Sequence, residues 1–553
     1  MRYLNVIIIL LFLCSCNEDD FLDTKPLGRV SDDTYFSTES GAIQAVNGCY
    51  DGLQKFATFK QGHIEITECI SDNAEVGGNA SEYEHEASQD LSRFISNTAN
   101  SVSSSYWNYQ YRGIARCNDV ISRVPEIEMD EELKLRLIGE AKFLRALYYF
   151  CLNNVYGGVP IVDHPLLQDE YYSTPRSKRL DVFLFIAEDL KEARENLPLN
   201  YDAANIGRAT RGAANALLAK TYLFIASMKK YDKYIEFDDK GFDPENKVDA
   251  NQYWELAKKT AELVINSDEY ELITGEFTRF AGQPYEHKLH AFDWLFTLEG
   301  DNCKEKIFEI QYYDGLSGTG GNYHEGNDII KWSTVRDAIE PDGTKISNPG
   351  FGFFTPTQDL YDEFEAEDTV RLNATIMTDE DSILWLAGED SIAWCRCDHR
   401  QSPTGYSNGK ARAIFFELHG GGSGSPPTQS GINNTLIRYA EVILIHAEAC
   451  MELGFESEAR ADLKMIRNRV GLSDYPTDPR FAQLKEAVYH ERRVELAMEQ
   501  HRWFDIVRWG RTKDELSGTS YGDAFIEGKH EYLPIHETQV SISQGSIVQN
   551  RNW

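Results

Sequence analysis

Two short runs in this 553-residue chain carry the residue types of an acyl-transfer site. His419-Gly420-Gly421-Gly422 has the form of a loop whose backbone amides hold an oxyanion, and Gly518-Thr519-Ser520-Tyr521-Gly522 has the spacing of a nucleophile elbow. That chemistry needs a strand before the serine, a helix after it, and an acid and a histidine further on. Here a helical pattern around Trp503–Trp509 precedes Ser520, and the chain ends at Trp553, too soon after Gly522 to complete a sheet-based hydrolase. The zinc-protease helix pattern is missing, because neither His490-Glu491 nor His536-Glu537 is followed by a histidine at the required step. No Gly-Lys-Ser or Gly-Lys-Thr phosphate loop occurs. A glycosidase-type carboxylate pair has no spacing signature that would pick it out of 89 acidic residues. The expectation is a protein without catalytic residues.

A different chemistry is legible between residues 276 and 335. Trp294, Tyr312, Tyr313, Tyr323, His324 and Trp332 stand among Asp293, Asp301, Asn302, Asn322, Asn327 and Asp328. Aromatic faces that pack on apolar CH surfaces, with carboxylates and amides at their rim, suit a polyhydroxylated ligand. Trp294 and Trp332 are the leading candidates, since their surroundings are irregular and polar, and Tyr313 and Tyr323 accompany them. A second candidate is the stretch around Asn79, Glu82, Tyr83 and His85; Trp385 and Trp394 are weaker ones.

Cysteine and acid patterns add little. Of ten cysteines, Cys117, Cys151 and Cys450 fall in helical patterns among apolar neighbours, as core residues do. Cys395-Arg396-Cys397 is the one close pair, and two further zinc ligands at matching spacing are not evident, so unpaired thiols are expected. Acidic loops such as 238–243 leave a bound calcium open, but no cofactor or metal is predicted.

The elements that must position these residues are mostly helical. Leu133, Leu137, Ala141, Leu144, Leu147, Tyr148 and Leu152 recur at three- and four-residue steps, which predicts a helix over 133–155. Similar patterns cover 180–197, 210–228, 252–266, 437–453, 456–469 and 481–499, joined in pairs by turns such as Gly454. Arg145, Glu441 and Arg493 sit among apolar helical positions, where a charge persists only if paired, and read as scaffold-locking pairs. Tyr156-Gly157-Gly158-Val159-Pro160 reads as a helix stop. Trp503 and Trp509 read as packing anchors. Between about 270 and 436 the helical period fades and Gly, Asn, Asp and aromatics rise. The fold expected is mostly α: a tetratricopeptide-like helical-hairpin scaffold with a long loop-rich insert, the usual place for binding residues.

At the N-terminus, Met1-Arg2-Tyr3 and the apolar run from Leu4 to Leu13 resemble a secretory signal, too short to span a bilayer. Leu13-Cys14-Ser15-Cys16 then reads as a bacterial lipobox, with Cys16 as the lipidated residue and 1–15 as the signal peptide. The acidic run from Asn17 to Asp20 resembles an export signal of Bacteroidetes lipoproteins. The charge of −34 disfavours phosphate backbones, so no nucleic-acid partner is expected.

Ordered motifs along most of the chain resemble the SusD/RagB family of outer-membrane nutrient-binding lipoproteins of Bacteroidetes. They run from Phe21-Leu22-Asp23-Thr24-Lys25-Pro26 and Ala45-Val46-Asn47-Gly48 through Gly139-Glu140-Ala141-Lys142-Phe143-Leu144-Arg145-Ala146 and Tyr156-Gly157-Gly158-Val159-Pro160. They continue with Gly207-Arg208-Ala209-Thr210, Arg438-Tyr439-Ala440-Glu441-Val442, Glu491-Arg492-Arg493, Arg502-Trp503-Phe504-Asp505-Ile506-Val507-Arg508-Trp509-Gly510 and Tyr532-Leu533-Pro534-Ile535. Gln500-His501 stands where the family more often has a glycine-type residue, and His536 replaces a common proline. The resemblance implies a non-catalytic, surface-exposed lipoprotein. It would bind an oligosaccharide and deliver it to a SusC-like TonB-dependent transporter, the helices facing the transporter and variable loops holding the ligand. A peptide or other nutrient receptor, a purely structural transporter lid and a surface glycoside hydrolase are the alternatives. The expected organisation is signal peptide 1–15, lipidated linker 16–30, helical region 31–270, ligand-binding insert 271–436 and C-terminal helical region 437–553. Of its ligand-binding residues (Trp294, Trp332, Tyr323, Tyr313 and Tyr83 in the present reading) none lies in a shared motif, so the family assigns none of them.

Overall fold

The computed structural model describes residues 36–55, 58–78, 85–167, 170–231, 249–313, 326–387, 391–412, 418–419 and 429–553. Cys16, Tyr83, Tyr323, His324, Asn79, Glu82, Asn322, the 238–243 loop and 420–427 lie outside them, and so do the signal and linker segments.

The scaffold is a run of long helices: α1 (Glu39–Asp51), α2 (Ser101–Arg123), α3 (Glu131–Tyr156), α4 (Arg179–Asn196), α5 (Arg211–Tyr231), α6 (Ala250–Ile265), α7 (Tyr439–Leu453), α8 (Glu456–Arg469) and α9 (Leu484–Leu496). Their starts follow local chemistry. Thr38, Asn100 and Asp130 cap α1, α2 and α3 by accepting from amides one turn on, and Glu131 and Glu132 add negative charge at the N-terminus of α3. Gly454 ends α7 in the left-handed region at φ 83°. After α3 the chain leaves through Gly157 at φ 76°; a side chain on the following Gly158 would meet the Ser177 carbonyl at 2.1 Å, so only glycine fits there.

Each helix packs on the next, α2 on α3, α3 on α4, α4 on α5 and α5 on α6. Helix α6 then packs on α7, 173 residues later, and α7 on α8 and α9. Residues 266–438 therefore leave the helical stack and return to it. They carry most of the described strands: a four-stranded antiparallel sheet ordered 345–347, 337–339, 391–398, 382–387, and several two-stranded pairs. The strand Lys306–Ile310 pairs with Asn434–Arg438, so the entry and exit of this region lie side by side. The helices share one large core. A second core holds Ile383, Cys395, Cys397, Phe353 and Phe354 of the insert with Val494 and Ala497 from the end of α9. Cys395 and Cys397 are buried free thiols, two steps apart on one face of their strand, and the other described cysteines are free as well.

The charged helical residues find partners. Arg145 binds Asp189 at 2.7 Å, Glu441 takes Lys220 and Arg492, and Arg493 reaches Asp72. Trp503 and Trp509 are buried, and Trp509 Nε1 donates to Glu448. Gln500 sits at φ 71°, a left-handed backbone that glycine adopts without cost, which gives a physical reason for the glycine-type residue common there. Its amide and that of His501 both donate to buried Glu68, which fixes the turn. His536 caps the helix Glu537–Ile542 by accepting from the Thr538 amide. No helix among the described residues is long and apolar enough to cross a membrane.

Between the insert and the C-terminal helices lies a buried ionic seam. Arg438 contacts Glu305, Glu495 and Glu499, and Lys410 contacts Glu499 at 2.6 Å. Burial alone would raise the Glu499 carboxyl; Arg438 and Lys410 reverse that and hold it at about 2. Between its ordinary 4.5 and about 2 the folded state binds fewer protons than the unfolded chain. The stability from this group is complete above about pH 4.5 and is lost as the pH falls toward 2. Glu499→Gln is expected to remove about 3 kcal/mol of the acid-side loss seen in chemical unfolding from pH 5 to pH 2. An unchanged pH profile in that variant would contradict the assignment.

Candidate functional site

Trp332 lies on the short helix Ile329–Ser333, half-buried, within a cage of aromatic rings. His85 meets it edge-on at 5.0 Å between centroids, Phe351 at 5.3 Å and Phe353 at 5.1 Å. Phe353 is held by strand pairing, opposite Gly77 in the Ala74–Gly77 ladder. His85 is aimed by a left-handed backbone (φ 55°) just before the helix Glu86–Ser92, and its Nδ1 lies 3.3 Å from Gln61 Nε2. Gln61 in turn donates to buried Glu65, whose carboxyl burial pushes up to about 7. The structure thus brings His85, from the second candidate stretch, onto Trp332, from the first.

Beneath this cage Lys60 joins the two ends of the 314–325 segment. Its ammonium donates to the Gly326 carbonyl at 2.7 Å, stands 3.6 Å from Asp328, and lies 5.0 Å from the centre of the Tyr312 ring. Burial lowers its pKa, against the pull of Asp328. Tyr312 is anchored by its amide, which donates to Asn433 Oδ1. Tyr313 beside it is 57% exposed. Both tyrosines line a cleft of about 550 Å³ with Tyr50, Gln54, Arg208 and Glu309, between the start of the scaffold and the Lys306–Ile310 strand.

Trp294 is placed elsewhere. It ends the short helix Ala291–Trp294 and stacks face to face on Phe277 (4.1 Å, 12°), from the hairpin 276–290. That hairpin carries a second aromatic group in which His287 meets Trp394 at 4.9 Å and Phe280 meets Tyr285. The two leading tryptophans therefore head different groups rather than one platform. Trp385 is core, with Lys331 over its ring. Tyr83 and Tyr323 fall outside the described residues, but the segments that contain them begin or end at His85, Tyr313 and Gly326. Sequence reading missed Lys60, Phe277, Phe351 and Phe353; the aromatic density of Phe351-Gly352-Phe353-Phe354 was the available signal.

The serine of the elbow-like motif follows the helix Thr512–Glu515, is exposed, and donates to Glu75 at 3.0 Å. With a helix before it and only a short turn, Gly522–Ala524, after it, Ser520 lacks the strand–turn–helix context of a nucleophile elbow.

A helical-hairpin scaffold with a long region inserted between two packed helices, bearing aromatic groups at its outer turns, defines the class. Residues 304–553 match the model of the SusD family, and residues 20–223 match a SusD-like model described as "Starch-binding associating with outer membrane". SusD-like protein P2 of Formosa agariphila is 24% identical over 560 residues, covering 99% of this chain and 97% of its own. A solved laminarin binding SusD-like protein has 28% identity and a TM-score of 0.73, covering 94% of this chain and all of that one. Surface glycan-binding protein A from Bacteroides thetaiotaomicron shares the fold at TM-score 0.71 with 21% identity, covering 94% of this chain and 100% of its own. The chain belongs to the SusD family.

The Tyr312 hydroxyl is buried and makes no hydrogen bond among the described residues. Tyr312→Phe is expected to leave stability unchanged or raise it by up to about 1 kcal/mol, read in denaturant unfolding.

Proposed function

We propose that this protein is a lipid-anchored, surface-exposed receptor that binds a neutral glycan without cleaving it and passes it to a SusC-like TonB-dependent transporter. The observation that carries the reading is the Trp332 group: a half-buried indole braced by His85, Phe351 and Phe353. A braced ring loses little entropy when a sugar face docks on it. The net charge of −34 favours a neutral glycan over a polyanionic one. The relative that binds laminarin makes a β-glucan the first ligand to test. The name of the matched SusD-like model supports the outer membrane as location, and the lipobox supports Cys16 as the anchor.

In affinity gels and calorimetry with laminarin and other neutral glucans, retention without released product is expected. Trp332→Ala should weaken binding at least about tenfold, roughly 1.4 kcal/mol. Trp294→Ala tests the hairpin group as a second contact, and Tyr83, Tyr313 and Tyr323 are the further ligand-binding residues of this reading. Unchanged affinity in both folded tryptophan variants would show the platform to be misplaced, and released oligosaccharide would establish a hydrolase instead.

Expressed in a Bacteroidetes host, the wild-type chain is expected in the outer-membrane fraction with incorporated fatty acid, and Cys16→Ala in the soluble fraction without it. Fatty acid retained by Cys16→Ala would overturn the anchor assignment.

A further inference from the structure

Far along the chain from the aromatic groups, three scaffold helices each turn a pair of polar side chains, one helical turn apart, toward a common point. Helix α6 contributes Lys258 and Glu262, α7 contributes His446 and Cys450, and α8 contributes Glu458 and Asp462. His446 Nδ1 lies 2.7 Å from Asp462 Oδ2. Its other nitrogen, Nε2, lies 3.5 Å from Glu262 Oε1, and Cys450 Sγ lies 3.6 Å from Nε2, 3.7 Å from Nδ1 and 3.6 Å from Glu458 Oε2. With zinc–nitrogen, zinc–oxygen and zinc–sulfur bonds of about 2.0 to 2.3 Å, tetrahedral ligands stand roughly 3.4 to 3.6 Å apart. Three of the spacings among these atoms fall in that range, and Glu262, His446 and Glu458 offer ligand atoms within 4.8 Å of one another.

We propose that His446 Nε2, Cys450 Sγ and the carboxylates of Glu262 and Glu458 form a binding site for a zinc-class divalent cation, with Asp462 orienting the imidazole from its second nitrogen. A ligating histidine that donates its remaining N–H to a carboxylate is the usual outer support of such a site. Cys450 and the His446 ring are buried, whereas Glu458 is exposed and Glu262 half-buried, so the cation enters from the carboxylate side. One residue stands in competition. Lys258 lies 2.6 Å from Glu262 Oε1 and 2.8 Å from Glu458 Oε2, and thereby holds the two carboxylates together. Cation binding displaces this ammonium, which has a flexible stem, toward the Phe455 ring, 5.4 Å away. It also expels the Cys450 thiol proton to solvent, and the imidazolium proton where His446 carries one; burial keeps that thiol protonated otherwise. The residues come from three helices in pairs four apart, which is why no ligand spacing is visible in the sequence.

The test uses the full-length chain in detergent, stripped with a chelator and titrated with Zn²⁺ by calorimetry and with Co²⁺ by absorption. One tight Zn²⁺ equivalent and a thiolate-to-Co²⁺ charge-transfer band are expected. Cys450→Ser should abolish the band and weaken Zn²⁺ at least about tenfold, and Asp462→Asn should weaken it about 10- to 100-fold. Lys258→Met, which leaves every ligand in place, should bind Zn²⁺ more tightly than the wild type. The proposal is overturned if the wild type and Lys258→Met both lack the band, or if Cys450→Ser keeps band and affinity, the cation then being held by other groups of the chain.

Discussion

The structure depends on a sheet of buried ion pairs that clamps the insert to the C-terminal helices. Glu495 and Glu491 on α9 receive Arg371 from the insert, Arg467 and Arg469 from α8, and Arg438 from the last strand before α7. Glu305, Glu365 and Asp368, all from the insert, complete the pattern against Arg438, Arg469, Arg467 and Arg371. Nearly every member is inaccessible to solvent. Taking such groups out of water costs several kcal/mol per ion, so isolated pairs here would be a net loss. Shared carboxylates change that balance: Glu305, Glu491 and Glu495 are each met by two or three cations, and each guanidinium by two or three acids, so few lone pairs or protons are left over. The directionality of these bonds then fixes how the insert sits on the helices, which two apolar faces alone would leave free to slide.

This explains which parts of the protein were legible in sequence. Helices α3 to α9 were found within a few residues, because a 3.6-residue apolar period over four or five turns is a strong signal and because glycines such as Gly454 mark their ends. The charges at Arg145, Glu441 and Arg493 were legible as locking pairs because an ionised group on an apolar helix face has no other stable state. The strands of the insert were not legible. Most are two to six residues long, and their alternation is interrupted by turns before it becomes statistically distinct. The longest of them, Ser391–Asp398, did leave a trace. Its Cys-x-Cys pair, read in sequence as unpaired thiols, is in the fold two successive inward positions of one strand.

The candidate site was legible only as a composition. Aromatics among short polar residues mark the 276–335 stretch, but the grouping is set by tertiary geometry: Trp332 joins His85 across some 250 residues, whereas Trp294, much closer in sequence, is carried away by its own hairpin. Lys60 was unreadable, since a lysine beside a glycine-containing turn is ordinarily a solvated side chain. Its burial between Tyr312, Gly326 and Asp328 becomes visible only when the two ends of the 314–325 segment are seen together.

The two regimes of the molecule follow from one physical difference. In the ionic seam a single substitution strands a buried charge, a loss of several kcal/mol, so the acids and arginines there are constrained one by one. At the aromatic groups, half-buried rings are braced by strand pairs such as 74–77 with 353–356, whose backbone bonds do not depend on side-chain identity. Replacing a ring there leaves the brace standing. A scaffold locked by charge can therefore carry outer turns of almost any composition. That accounts for motifs that resemble the family's lying in the helices and the seam, Arg438 and Glu491 among them, while Trp332, His85 and Trp294 belong to none of them.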